Sequence, residues 1–582
     1  MLRASYVAYH ERSKQSAMQS SPPRHTASGR SSLRLPKRGI AGVVLVCIAL
    51  ASAGWISVNE SVYYRISKAL ETYAEVFRRV SLDYVDEVEP EKFVRIGLDA
   101  MLASLDPYSV YMDEAQSDDF DSQISGRYVG LGIQVGVYDS MLTITGVAQG
   151  YAAEKAGLRI GDRLLSVDGT RVLEISPKDL RKYTRGERGS VAKVELLREG
   201  RSDTLRVEIM RSDITVKSVS YAARLDDGIA IIKLERFTRK TAQEMQLALD
   251  SLRALGSLNG IILDLRDNPG GLLDAAVSVC ELFTKTGSVI VTTKGRREGE
   301  SRVYTNNSVP YEAEFPMAVL VNKASASAAE VVAGCLQDLD RAVVCGEQSF
   351  GKGLVQSQFP TPYGTTLKLT TQRYYCPSGR CIQRRDYSKK NSGTDSVFTP
   401  RMFVTEHNRP VADASGITPD SLMKADTLPQ AVQELVRKGV LFRVATQYAA
   451  RYSSLPESFD PAALLPEVEH MMKDRGIDPH AALVSKLDEA RALATNEPQL
   501  AGIESSLRTL QTEAKQQRSA IVRAHAKTLK RLLREEVLAR FTGEQDVLRA
   551  AMESDLLLRS CADLLRSKSY ARLLMPHVAT RE

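Results

Sequence analysis

The residues with the clearest chemical potential lie between 322 and 356. A serine loop of small residues, Asn322-Lys-Ala-Ser-Ala-Ser-Ala-Ala-Glu330, opens an apolar helix. Lys352 follows 25 positions after Ser327, between Gly351 and Gly353, and Gln356 stands four positions further on. No histidine lies in the block, so a Ser–His–Asp triad is not being built. A lysine does the same work if it loses its proton. Burial in an apolar pocket lowers a lysine pKa from about 10.4 to roughly 7–8, and the neutral amine then serves as general base. Taken alone, Ser325 and Ser327 read as N-cap serines and Lys352 as a surface turn lysine. The catalytic reading gains its weight from the surroundings of these residues.

Two strand–loop–helix units supply those surroundings. The strand Gly260–Arg266 runs into Asp267-Asn-Pro-Gly-Gly271 and a helix expected over 272–283. The strand Met317–Asn322 enters the serine loop and a helix expected to end near Asp340. Both aim helix N-termini, with their free N–H groups and positive dipole ends, at one edge. With a further strand at 228–234 and a helix expected over 241–255, residues 213–426 read as a layered α/β domain.

The flanks differ in pattern. Residues 60–124 are mainly helical by periodicity until Asp106-Pro107 stops the second helix. Residues 125–212 switch to short apolar strands punctuated by glycine, and residues 427–582 are helical with a leucine stripe. The stripe carries no catalytic constellation, so we read a scaffold or a bundle for self-association or adaptor binding.

The 582 residues carry a net charge of +7, and it is all at one end. Residues 1–38 hold eight Lys/Arg against Glu11 alone, and the remaining basic and acidic residues cancel. The folded body therefore gives no case for nucleic-acid binding. Residues 39–59 are uncharged and long enough to span a bilayer. The basic tail before them and Glu60 after them orient the tail to the cytoplasm and the body outward. We expect an uncleaved anchor; the alternative is cleavage at Ala51-Ser52-Ala53 and secretion. No metal-ligand spacing of Cys or His occurs. Cys280, Cys335, Cys345 and Cys561 sit in apolar runs of buried-thiol character. Cys376 and Cys381 flank a Pro-Ser-Gly-Arg turn, and they either close it as a disulfide in an oxidising compartment or stay unpaired.

Gly130-Leu-Gly-Ile133 and Gly157-Leu-Arg-Ile-Gly-Asp-Arg-Leu164 resemble the carboxylate-binding loop and the following turn of PDZ domains. Together with Leu105-Asp-Pro-Tyr-Ser109, Asp264-Leu-Arg-Asp-Asn-Pro-Gly-Gly271, the serine loop, Gly346-Glu-Gln-Ser-Phe-Gly-Lys-Gly-Leu-Val-Gln356 and Leu367–Gln383, their order resembles that of the carboxy-terminal processing peptidases, serine peptidase family S41. The resemblance runs from about residue 70 to residue 425. It implies a core fold like the caseinolytic-protease and crotonase superfamily, with Ser327 as nucleophile, Lys352 as base and Gln356 positioning the lysine. It also implies an exported serine endopeptidase, anchored in a bacterial inner membrane with its body in the periplasm, that needs no cofactor or metal. Its partners would be exported proteins whose free C-termini bind on Gly130, Leu131, Gly132 and Ile133. Backbone N–H groups of Ala328 and of Gly270 or Gly271 are expected to face the oxyanion. Ser325 is expected to keep an N-cap role. Two positions depart from the family pattern: Ala329 replaces the third loop serine, and Cys376 and Cys381 replace residues commonly Thr and Ser. A non-catalytic PDZ adaptor is the rival reading, and intact Ser327 and Lys352 weigh against it.

Overall fold

In the computed structural model, residues 62–172, 183–297, 299–312, 314–387, 396–424, 427–495, 497–516 and 518–575 are described. The expected membrane segment, 39–59, lies outside them. No helix of the described residues is long and apolar enough to cross a membrane.

The helix Val62–Asp83 buries none of its side chains, and its apolar positions Ile66, Leu70 and Tyr73 are about half exposed. A second helix spans Pro90–Ala103. After the helix stop at Asp106-Pro107, a strand that periodicity does not show occupies Val110–Met112. This short strand pairs antiparallel with Thr366–Lys368 in the register Val110↔Lys368. Asp106 explains the change of direction. Its buried carboxylate accepts from the Tyr108 and Ser109 N–H groups, both at 2.8 Å, and so turns the chain out of the helix.

The glycine-punctuated region forms an antiparallel sheet in the order Ile133–Tyr138, Met141–Val147, Arg163–Val167, Val191–Leu197, Leu205–Met210. Its core contains Leu131, Ile144, Leu164, Val194, Leu196 and Ile209. Arg127–Gly130 lies outside this sheet and pairs with Ser212–Thr215, so the two ends of the domain are zipped where the chain leaves for the core.

The α/β core is built on a six-stranded sheet in the order Val219–Arg224, Ile229–Leu234, Gly260–Asp264, Met317–Val321, Val343–Gly346, Ser421–Leu422, parallel from the second strand onward. Near-continuous Ile, Leu and Val runs in these strands fit a sheet covered on both faces. On one face lie the helices Thr241–Ala254, Leu273–Glu281 and Ala328–Asp338, beneath a second, antiparallel sheet that includes Val289–Gly295, Leu354–Pro360 and Thr366–Tyr375. On the other face lies the helix Leu556–Arg566. The C-terminal region is thus partly a layer of the core.

Candidate active site

The two helix mouths meet as the strand–loop–helix pattern requires. Gly270 has φ +100°, and a Cβ added there would stand 2.8 Å from Ala326 O and 2.9 Å from both Ala328 N and Ser327 Cβ. Only glycine allows that approach. Phe237 frames the same loop, donating its N–H to Gly270 O and accepting from the Leu272 N–H, both at 3.0 Å.

Ser327 occupies the N-cap of the helix Ala328–Asp338 with φ +55° and ψ −117°. A non-glycine residue held there is strained and must be fixed by its neighbours. Glu330 and Tyr374 do this. The Ser327 N–H donates to Glu330 Oε2 (2.9 Å), and the Tyr374 hydroxyl reaches Ser327 O (3.1 Å). The same two side chains hold the lysine. The Lys352 N–H donates to Glu330 Oε2 (2.9 Å), and the Tyr374 hydroxyl is also hydrogen-bonded to Lys352 O. Gly351 N–H and the Ser349 hydroxyl complete the donors on Glu330 Oε1. A carboxylate with no solvent exposure therefore ties the backbones of Ser327 and Lys352 together. Burial pushes the Glu330 carboxyl up to about 7, against its donors Ser349, Lys352, Gly351 and Ser327, which hold it down.

Lys352 is the poised base candidate. Burial lowers its pKa to about 8, helped by the charge of Lys368 and opposed by Glu330 and Asp106. Its Nζ lies 4.3 Å from the centroid of the Tyr108 ring, and no hydrogen bond joins it to Ser327 Oγ. Tyr108 was invisible as a site residue in the sequence. It belongs to the Leu105–Ser109 motif, whose Ser109 hydroxyl also accepts the Thr370 N–H at 3.1 Å.

Other expectations fare unevenly. Gln356 donates its amide to Thr370 Oγ1 (3.2 Å), across the strand pair, and not to Lys352. Gly270 N–H donates to Asn268 Oδ1 (2.8 Å), whereas Gly271 is exposed to solvent. Of the two glycines, Gly271 is therefore the one with an N–H to offer. The Ala328 N–H, first in its helix, has no intrahelical acceptor. Ser325 is not the N-cap, because the helix begins one residue after Ser327. Its hydroxyl donates to Leu265 O (2.8 Å) and accepts the Asn322 N–H (2.9 Å), lacing the serine loop to the glycine loop.

In the turn 376–381 the two thiols are unpaired in this structure. The turn closes without a bond between them. Cys376 N–H donates to Arg380 O (3.0 Å), Gly379 N–H to Cys376 O (2.8 Å), and the buried Arg380 pairs with Asp338 at 2.8 Å. The Cys376 thiol instead packs against Gly334, whose added Cβ would meet the sulfur at 2.7 Å.

In the PDZ loop, Gly132 takes φ +79° and its carbonyl accepts the Ala148 N–H (2.8 Å). Gly130 bridges to Arg185. Leu131 is fully buried in the domain core, and Ile133 is half-buried. Among the described residues, no group of three or more His, Cys, Asp or Glu side chains is placed to hold a metal ion.

The chain is similar to known proteins over the same regions. Residues 228–389 match the model of peptidase family S41, residues 143–198 that of a PDZ domain, and residues 431–565 that of a probable PDZ-protease C-terminal helical domain. A carboxy-terminal-processing protease of Bartonella bacilliformis is 36% identical over 347 residues, covering 59% of this chain and 79% of the relative. The carboxy-terminal processing protease CtpA of Bacillus subtilis is 33% identical over 330 residues, covering 56% of this chain and 68% of the relative. Among solved structures, a photosystem II D1 C-terminal processing protease aligns at 26% identity over 63% of this chain and 95% of its own, with a TM-score of 0.34.

Proposed function

Because this chain belongs to the carboxy-terminal processing serine proteases of peptidase family S41, we propose that it cuts exported proteins near their free C-termini with a Ser327–Lys352 dyad. The observation that carries the reading is the shared clamp. One buried carboxylate and one buried phenol hold the backbones of a strained serine and of a lysine whose pKa burial lowers to about 8.

The PDZ domain takes the substrate tail by strand addition, with the terminal carboxylate on the backbone of residues 130–133. The chain then reaches Ser327. Neutral Lys352 swings from the face of Tyr108, removes the hydroxyl proton, and the alkoxide attacks the peptide carbonyl to give an acyl-enzyme. The N–H groups of Gly271 and Ala328 face the oxyanion, where one such donor is worth about 2.7–4 kcal/mol elsewhere. The lysine ammonium returns its proton to the leaving amine. Gln356, four residues beyond Lys352, would act on the lysine only after releasing Thr370.

Location follows from the sequence alone: residues 39–59 anchor the body to a bacterial inner membrane with its folded part in the periplasm, or, if cleaved at 51–53, release it. Beyond the layer that covers the core, the C-terminal helices offer a surface for self-association or an adaptor.

Two peptides differing only in C-terminal amidation test the reading, assayed with wild type and Ser327→Ala. Wild type should cut the free acid and lose most of its rate on the amide, and Ser327→Ala should cut neither. Equal cleavage of both peptides would reject tail recognition, and a working Ser327→Ala would reject the nucleophile.

A further inference from the structure

The role of the C-terminal helical region is open in the sequence, and one residue in it bears on the reaction. Asp555 is the N-cap of the helix Leu556–Arg566, its Oδ1 accepting the Leu558 N–H at 3.0 Å. Its other oxygen, Oδ2, lies 2.7 Å from Arg266 Nη2. The helix itself is seated by Leu558, Cys561, Ala562 and Leu565 on the face of the six-stranded sheet that carries Ile231, Ile262 and Leu320.

Arg266 stands at the head of the glycine loop. Its side chain is only 12% exposed and grips Asp264 with Nε (2.9 Å to Oδ1) and Nη2 (2.6 Å to Oδ2). Its carbonyl accepts from Lys233 Nζ at 3.3 Å. From there the chain passes through Asp267, at φ +63°, to Asn268. Asn268 donates its amide to Leu234 O (2.7 Å), accepts the Gly270 N–H, and accepts the Ala326 N–H on its carbonyl (3.0 Å). Arg266 is thus the first anchor of a short tether that ends at Gly271 and touches the serine loop.

We propose that Asp555 is a positioning residue for catalysis. Through Arg266, the C-terminal helical region fixes the loop whose Gly271 N–H faces the oxyanion. The proposal rests on the dyad and oxyanion reading given above. Arg266 has one carboxylate within its own strand end, Asp264, and one from outside it, Asp555. Of these two carboxylates only the second comes from the C-terminal region, and it adds to the ties that Asp267 makes to Asn322 and Asn268 makes to Leu234 and Ala326. Without it the guanidinium keeps its local pair, the fold persists, and the loop loses an external stop. A small displacement of an oxyanion donor weakens the transition state and leaves ground-state binding nearly untouched.

The double duty of Asp555 supplies the test. Asp555→Ser keeps a capping hydroxyl for the Leu558 N–H but is too short and uncharged to hold Arg266. Asp555→Asn leaves one acceptor oxygen for the Leu558 N–H and turns its NH2 toward Arg266, so it too keeps the cap and loses the pair. The full-length protein is assayed on a quenched-fluorescence peptide ending in a free valine carboxylate, with thermal melting in parallel. We expect Asp555→Ser to lower kcat about tenfold with KM and Tm near wild type. Asp555→Asn, which also loses the Arg266 pair, should fall about as far. An unchanged kcat in Asp555→Ser, or a loss that appears only together with a lowered Tm, overturns the proposal. Ser327→Ala is run beside them. If that variant turns over, the nucleophile assignment fails, while the role of Asp555 is still decided by the kcat of its own variants.

Discussion

The two strand–loop–helix units of the core share a plan and differ in what they present. The unit ending in the helix Leu273–Glu281 offers backbone. Its loop runs through three residues of positive φ, Asp267, Gly270 and Gly271, and its first-turn acid, Asp274, is exposed. The unit ending in Ala328–Asp338 offers a side chain. It keeps one strained residue, Ser327, and its first-turn acid, Glu330, is fully buried and accepts from Ser327, Ser349, Gly351 and Lys352. An acid at a helix N-terminus ordinarily adds a few tenths of a kcal/mol at the surface. Turned inward, the same residue type becomes the joint between nucleophile and base. A helix mouth thus becomes a reactive site through its neighbours, and only partly through the helix.

The comparison breaks first, and most severely, at the side chain. Ser327→Ala and Lys352→Ala should each lower kcat about a thousandfold or more, with Tm near wild type. Lys352→Arg should be equally inert, because guanidinium stays protonated. Turnover above a few per cent of wild type in any of the three would show that the reactive pair lies elsewhere.

A side chain added to the backbone unit comes next. Gly270→Ala would push a methyl group against Ala326 O, Ala328 N and Ser327 Cβ, so we expect about a hundredfold loss of kcat and a lowered Tm. If both stay at wild-type values, the two loops are not in the contact described.

Glu330→Gln sharpens the contrast between the two first-turn acids. An amide cannot accept on both of its heavy atoms, so one set of donors loses its partner, and kcat should fall about tenfold to a hundredfold. The pH profile adds a sign. The Glu330 charge favours the ammonium of Lys352. Its removal should therefore move the acid limb of kcat/KM to lower pH. Asp274→Asn, the matching change in the other unit, should alter neither value. The smallest loss is expected for Tyr374→Phe, which keeps the buried ring and removes only the hydroxyl shared by Ser327 O and Lys352 O. A loss of kcat of a few-fold is expected, and none at all would make the hydroxyl a spectator.

Much of this site was legible in the chain. Ser327 and Lys352 stand in motifs whose order is itself a signal, and the helices expected over 241–255 and 272–283 are observed at Thr241–Ala254 and Leu273–Glu281. Residues whose roles depend on contacts far along the chain were not legible. Tyr108 meets Lys352 only because Val110–Met112 pairs with Thr366–Lys368, and three residues of strand carry too little periodicity to be seen. Glu330 reads in sequence as one more acid in a first turn; nothing local says that it faces inward. The burial of Leu131 was likewise not legible, because the loop pattern says nothing of depth. Arg380, in a turn of surface composition, is inserted into the core to meet Asp338. The helix Leu556–Arg566 has an amphipathic pattern that fits a bundle as well as a sheet face.

The central claim is that Ser327 is activated by a neutral Lys352, and one measurement addresses it without any substrate. Wild-type protein is labelled with a fluorophosphonate across pH 5 to 10, and the modified residue is located by mass spectrometry. Because burial depresses the lysine, the neutral form is absent in acid and grows in as pH rises through about 8. The label should land on Ser327, and its rate should climb along that single limb and level above it. A label on another residue, or a rate on Ser327 that is already level at pH 6, contradicts the claim.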